Sequence, residues 1–221
     1  MQKDSDYVVS YMTLRQMIGW IALLMPWVLR IGAKLFLHLG MQASVSAYYY
    51  TDMRDVFVST LVLVGILMTC NRTKRWTDNA VSVAAGLAAI GVGLIRPNPD
   101  TAMIQHVQTC PADLNCMLPP LQNVHLMFAV ILFALLFVMV MFQFPLGTPR
   151  NADREMRWRN VIYRICGAVM LVCFIAIGLN QQSYFVPEAI AIFIFALAWL
   201  VKGQAVPGLK DKPGAPRRLA S

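Results

Sequence analysis

Charged residues are scarce in this chain: Asp, Glu, Lys and Arg make up only 14% of its 221 residues, whereas apolar residues make up 58%. A soluble domain carries about 25% charged residues. This shortage argues against an ordinary soluble domain. Because the apolar residues come in long runs and not in periodic stripes, the composition predicts a membrane protein with several spans.

Catalytic and metal-binding patterns are also missing from the sequence. It has three histidines, and no two of them show the i, i+4 spacing of a helical zinc motif. It contains no serine-nucleophile elbow, no CxxC pair and no glycine-rich phosphate loop. We therefore expect no metal and no other cofactor, and motifs alone favour a protein that is not an enzyme.

Six apolar runs predict the architecture. They cover roughly residues 14–31, 56–70, 80–95, 121–144, 161–179 and 187–201. Because a helix of about 20 residues crosses a bilayer, we predict an all-α fold. Residues 1–203 would form one bundle of six transmembrane helices. The third run, AAGLAAIGVGL, is rich in small residues that let a neighbouring helix backbone approach closely.

Basic residues indicate the orientation of this bundle. Fifteen lie on one side of the predicted spans: Lys3, Arg15, Arg72, Lys74, Arg75, Arg150, Arg154, Arg157, Arg159, Arg164, Lys202, Lys210, Lys212, Arg217 and Arg218. Four lie on the other: Arg30, Lys34, Arg54 and Arg96. The positive-inside rule places both termini in the cytoplasm, including a basic, Pro/Gly-rich tail at 204–221 that we expect to be disordered. The net charge of +8 therefore reflects the orientation of the spans in the membrane, and we expect no nucleic-acid partner.

The stretch SVSAYYYTDMRDVFV, residues 44–58, places polar and charged side chains where an apolar run begins. Ionisable groups at membrane depth are costly unless they are paired or hydrated, so this cluster is a candidate site. The predicted topology brings it to the same outer boundary as two residues of later spans. We predict a polar outer-leaflet pocket in which Arg54 pairs with Glu188. The pocket candidates are Ser46, Tyr48, Tyr49, Tyr50, Arg54, Asp55, His125 and Glu188, with Ser44 and Gln181 or Gln182 at the mouth.

The same residues allow other interpretations. In a plainer one, Arg54 pairs with Asp55 or Glu188, His125 binds a backbone carbonyl, and the tyrosines form an interfacial belt. In another, Asp55, His125 and Glu188 serve an intramembrane lipid- or isoprenoid-modifying enzyme, such as a metal-dependent hydrolase. The favoured prediction is a ligand- or lipid-binding, sensing or transport component, or an accessory subunit of a larger membrane complex.

Two further groups of residues carry predictions. Cys110 and Cys116, in CPADLNC, are disulfide candidates because the predicted topology exposes them to an outer, oxidising side. On the cytoplasmic side we predict contacts with lipid headgroups from Arg72, Lys74, Arg75, Arg154, Arg157 and Trp158. The expected partners are membrane lipids, and other membrane-protein subunits are the alternative.

Three segments, SVSAYYYTDMRDVFV, RNVIYRICG and AWLVKG, occur together with Asp78, His125 and Glu188. This set resembles a widespread family of bacterial multi-pass inner-membrane proteins of unknown function, over most of residues 44–203. The resemblance implies a small multi-spanning protein of the bacterial inner (plasma) membrane. A remoter likeness, to the seven-helix superfamily of alkaline ceramidases and progestin/adiponectin receptors, rests on intramembrane Ser, Asp and His. The chain lacks that superfamily's paired histidines and its seventh span.

Overall fold

The computed structural model describes residues 2–97, 122–146, 154–179 and 183–206. Within these ranges the chain forms helices and no strand: α1 (Gln2–Leu37), α2 (Arg54–Cys70), α3 (Trp76–Leu94), α4 (Gln122–Val138), α5 (Arg154–Leu179) and α6 (Phe185–Lys202). A 3₁₀ helix, Ser46–Tyr50, precedes α2, and a π-helix, Met139–Gln143, extends α4. The prediction of an all-α fold is confirmed.

Among the described residues, five helical segments are long and apolar enough to cross a membrane: Met12–Leu37, Trp76–Leu94, Val124–Gln143, Arg154–Leu179 and Phe185–Lys202. The helix that falls short is α2, whose 17 residues extend about 26 Å at 1.5 Å per residue. Its first two residues are charged. Length and composition therefore support five spans among the described helices, and the sixth predicted span stays a proposal.

The helices form a ring. α1 packs against α2 and α6, α3 packs against α2 and α4, and α5 packs against α6 and the π-helix. Hydrogen bonds between residues that are far apart in the sequence mark the two ends of this ring. At the first, which we call the Ser46 end, the Tyr50 hydroxyl donates to the Pro97 carbonyl at 2.6 Å. At the second, the Lys202 end, Lys202 Nζ donates to the Phe144 carbonyl at 3.0 Å.

Two local features shape α1. It ends at Leu37 because His38 adopts a left-handed backbone conformation (φ 54°), and the Leu39 N–H then donates to the Ala33 carbonyl at 3.1 Å. Within α1, Pro26 has no N–H and leaves the Ala22 carbonyl without its usual helical donor. Ala22 and Pro26 border two different spaces, one inside the ring and one outside it.

Two glycines bring α2 and α3 into backbone contact, as the small residues of the third apolar run predicted. A Cβ atom on Gly86 would lie 2.5 Å from the Gly65 carbonyl oxygen, and one on Gly65 would lie 2.6 Å from the Gly86 oxygen. Neither helix could approach so closely with a side chain at this point. At the Lys202 end, the buried residue Asn71 links the end of α2 to α3 by a hydrogen bond, because its Nδ2 donates to Ser82 Oγ at 3.3 Å.

Candidate ligand cavity

A cavity of about 80 Å³ lies between the helices of the ring. Its walls come from α1, α2, α3, α4 and α6 and from the residues around the start of the 3₁₀ helix. Most of the lining is apolar, with Leu61, Leu132 and Phe195 as examples. Among the described residues of the lining, three have polar side chains, Ser46, His125 and Glu188, all at the Ser46 end.

The cavity is elongated. On α2 its lining reaches from Phe57 to Met68, and on α4 it reaches from His125 to Leu136. Each pair is eleven residues apart, which corresponds to about 16 Å along a helix. That is about half the hydrocarbon thickness of a bilayer, the depth of one leaflet. The lining therefore has a polar end and a long apolar body, and the cavity between its walls is narrow, since its volume is only about 80 Å³.

Glu188 is held in place by hydrogen bonds that run in both directions between the start of α6 and residues 43–45, which precede the 3₁₀ helix. The Ala43 carbonyl accepts the N–H groups of Tyr184 at 2.6 Å and Phe185 at 2.8 Å, which would otherwise be free at the helix start. In return, Glu188 Oε2 accepts the Val45 N–H at 2.6 Å. Within the described part of the chain the second carboxyl oxygen has no partner, which leaves it available to a ligand.

His125 is buried on α4, and its Nδ1 lies 2.7 Å from the Ile95 carbonyl oxygen. A carbonyl only accepts, so Nδ1 carries the hydrogen in this bond. In a neutral ring Nε2 is then an acceptor. The plainer prediction, that His125 binds a carbonyl, is confirmed, and the same ring also lines the cavity.

The third polar group, Ser46, belongs to a short hydroxyl chain. Its Oγ lies 3.1 Å from Ser44 Oγ, which accepts the Ala47 N–H at 3.0 Å. Ser46 makes no hydrogen bond to His125, although a serine nucleophile requires such a contact with its base. The arrangement is suited to hydrogen bonding with a ligand head and less suited to nucleophilic attack.

The three tyrosines were predicted to line the pocket, but they are not part of the described lining of this cavity and instead pack the 3₁₀ helix against its neighbours. The ring centres of Tyr48 and Phe185 lie 5.8 Å apart. The ring centres of Tyr49 and Phe57 lie 6.4 Å apart, with the rings edge to face. Burial raises the pKa of Tyr50, with the Arg96 charge opposing this shift, so its hydroxyl stays protonated and donates to Pro97. These residues build the wall behind the cavity.

Arg54 and Asp55 are exposed and lie outside the cavity lining, which corrects their predicted place in the pocket. The Arg54 guanidinium lies 4.7 Å from the centre of the Tyr49 ring and donates to the Tyr49 hydroxyl at 3.0 Å. The predicted pairing of Arg54 with Glu188 is wrong, because Arg54 binds Tyr49, whereas the described partner of Glu188 is the Val45 N–H.

The proposed catalytic grouping of Asp55, His125 and Glu188 does not form either. In the described ranges, no three His, Cys, Asp or Glu side chains lie close enough together to hold a metal ion. His125 and Glu188 border the cavity, whereas Asp55 is exposed at the start of α2. Sequence reasoning missed the apolar lining, whose faint signal is the inward-facing alanines of three helices: Ala22, Ala89 and Ala129.

The remaining candidates lie elsewhere. Cys110, Cys116, Gln181 and Gln182 fall outside the described residues. Arg72, Lys74, Arg154, Arg157 and Trp158 are exposed and Arg75 is half-buried, all at or near the Lys202 end. Their contact with lipid headgroups stays a prediction. No protein-family model, curated protein or solved structure matches the chain.

Proposed function

We propose that this protein binds a membrane amphiphile, a lipid or isoprenoid with a hydrogen-bonding head, inside its helical ring. The observation that carries the proposal is a cavity apolar over about 16 Å whose three polar side chains all lie at one end. The Ser46 hydroxyl, His125 Nε2 and the second Glu188 oxygen would meet the head group. At about 80 Å³ the cavity is smaller than a ligand pocket of roughly 300 Å³, so the apolar walls would have to move apart to enclose the chain.

Binding of this kind suits a lipid-binding, sensing or transport component, and equally an accessory subunit that carries a lipid. The alternative is an enzyme that modifies the bound lipid. It is favoured by the presence of His125 and Glu188 on one cavity, since an imidazole and a carboxyl group are common acid–base pairs. The missing Ser46–His125 hydrogen bond and the exposed Asp55 favour binding over catalysis.

For the membrane placement we propose six spans, with both termini in the cytoplasm and α2 as a short sixth span. In support, α2 packs between α1 and α3, which are both long enough to cross. The excess of basic residues near the Lys202 end would place that end in the cytoplasm of a bacterium, at the inner membrane. The polar end of the cavity would then open toward the outer leaflet.

Reporter fusions test this placement. Alkaline phosphatase, which is active only outside the cytoplasm, should be active when fused after Gly40 and inactive when fused after Lys74 or Ser221. A fluorescent protein that matures only in the cytoplasm should give the opposite pattern. Equal signals from the fusions after Gly40 and Lys74 would show that α2 does not cross the membrane.

A cavity-filling variant tests the binding proposal. Ala129→Phe places a ring in the cavity lining of α4, and Ala134→Phe places the same ring on the exposed side of the same helix. We expect the wild-type protein, purified in mild detergent, to retain an amphiphile. Ala129→Phe should retain at least about fivefold less of it, because the bound chain and the new ring compete for space. Mass spectrometry of extracted lipids measures the ratio.

The Ala134→Phe variant is the matched control and should retain as much lipid as the wild type. Equal retention by both variants, or no amphiphile in the wild-type protein, would contradict binding in the cavity. Conversion of an added lipid by the purified wild type, lost in Ala129→Phe, would replace the binding proposal with the enzyme alternative.

A further inference from the structure

A second space lies outside the ring, in a groove between α1 and α6. Its volume is about 300 Å³, and its lining includes Trp27 and Arg30 of α1 and Phe185, Ala189 and Phe193 of α6. Trp27 is 57% exposed, so the groove opens away from the cavity. In a bilayer an exposed apolar surface of this kind faces lipid chains.

The shape of the groove follows from the spacing of residues on α6. Phe185 and Phe193 are eight residues apart, about 12 Å along a helix, and Ala189 lies midway between them on the same face. The small side chain leaves a hollow between two aromatic rings. Opposite it, Pro26 and Trp27 supply the wall from α1. An acyl chain fits such an apolar trough.

Arg30 is the charged residue in the groove lining. Its contact within the described part of the chain is a long one, 3.5 Å from Nη1 to the Leu39 carbonyl oxygen. On α6, Glu188 accepts the Val45 N–H and makes no described contact with Arg30. Lys34, one turn further along α1, is exposed and lies outside the described groove lining. No described carboxylate neutralises Arg30. A cation at membrane depth is costly unless a group of opposite charge pairs with it.

We propose that this groove is a binding site for an anionic phospholipid. The lipid phosphate would pair with the Arg30 guanidinium, whose planar donors match phosphate oxygens. One acyl chain would lie along Ala189 between Phe185 and Phe193, with Trp27 at its side. This site lies toward the Ser46 end, opposite the basic residues predicted to contact headgroups, and it is separate from the internal cavity.

Native mass spectrometry of the full chain in detergent tests this site. The probes are phosphatidylglycerol and phosphatidylcholine with identical acyl chains. We expect the wild type to retain phosphatidylglycerol at least about fivefold better, and Arg30→Gln to reduce that preference at least about threefold, since the ion pair is lost. Lys34→Gln removes the same charge from an exposed residue outside the groove lining and should keep the preference.

A second variant separates a phospholipid from a free phosphate ion. Ala189→Phe fills the trough but keeps Arg30, so it should lower retention of both lipids and leave any binding of inorganic phosphate unchanged. Ala189→Leu repeats the test with a smaller side chain if the Phe variant does not fold. Absence of a preference in the wild type, equal losses in Arg30→Gln and Lys34→Gln, or unchanged retention in the filled groove would overturn the proposal. Ala129→Phe should leave the preference intact, so failure of the internal cavity and failure of the groove are distinguishable.

Discussion

Gly86→Ala should lower the thermal stability of the bundle more than any other single methyl addition described here. The new Cβ would lie 2.5 Å from the Gly65 carbonyl oxygen and 2.8 Å from Thr69 Cγ2. The carbonyl belongs to the backbone of α2 and cannot rotate aside, so the two helices must separate. Overpacking of this kind costs about 1–3 kcal/mol, and more where the backbone has to shift. Thermal unfolding in detergent, followed by circular dichroism, measures the loss.

Gly178→Ala is the control for this substitution. Gly178 is the next-to-last residue of α5, and a Cβ atom there would meet none of the described atoms within 4 Å. Replacing glycine by alanine in the middle of a helix stabilises it by about 0.5–1 kcal/mol, so at this position near the helix end the gain should be smaller. A Gly86→Ala variant as stable as Gly178→Ala would show that α2 and α3 do not touch through their backbones.

Glu188→Leu should destabilise the bundle by about 1–3 kcal/mol, because the buried Val45 N–H loses its acceptor while the volume of the side chain is nearly kept. Glu188→Gln keeps an oxygen in the same place and should cost much less. Thermal unfolding of both variants in the same detergent gives the comparison. Equal losses would show that the carboxyl charge, and not its hydrogen bond to Val45, is what matters.

A double variant checks the corrected position of Arg54. Arg54 is exposed and interacts with Tyr49, so Arg54→Ala alone should cost under about 1 kcal/mol. Because Arg54 and Glu188 share no contact, the losses of Arg54→Ala and Glu188→Leu should add in the double variant. A double variant clearly more stable than the sum of the single losses would restore the ion pair predicted from the sequence.

The depth of a residue along its helix was predictable, whereas the face on which it lies was not. The similar depth of Ser46, His125 and Glu188 along the predicted spans placed them at one end of the bundle, and all three border the cavity. The same argument failed for Arg54 and Asp55, which are exposed. Successive helical residues turn by about 100°, and a span that is apolar nearly all round gives no stripe from which its orientation can be read.

The sequence by itself determined the all-α class and, of its six predicted spans, the five whose described helices are long and apolar enough to cross a membrane, because hydropathy and run length decide both. It also determined that small residues would bring α3 close to a neighbour. Only the tertiary structure decided that Glu188 binds the Val45 N–H and that His125 binds the Ile95 carbonyl. Every residue but proline offers the same backbone donor and acceptor, so no side-chain pattern identifies which of these groups the fold will bring to a buried polar residue.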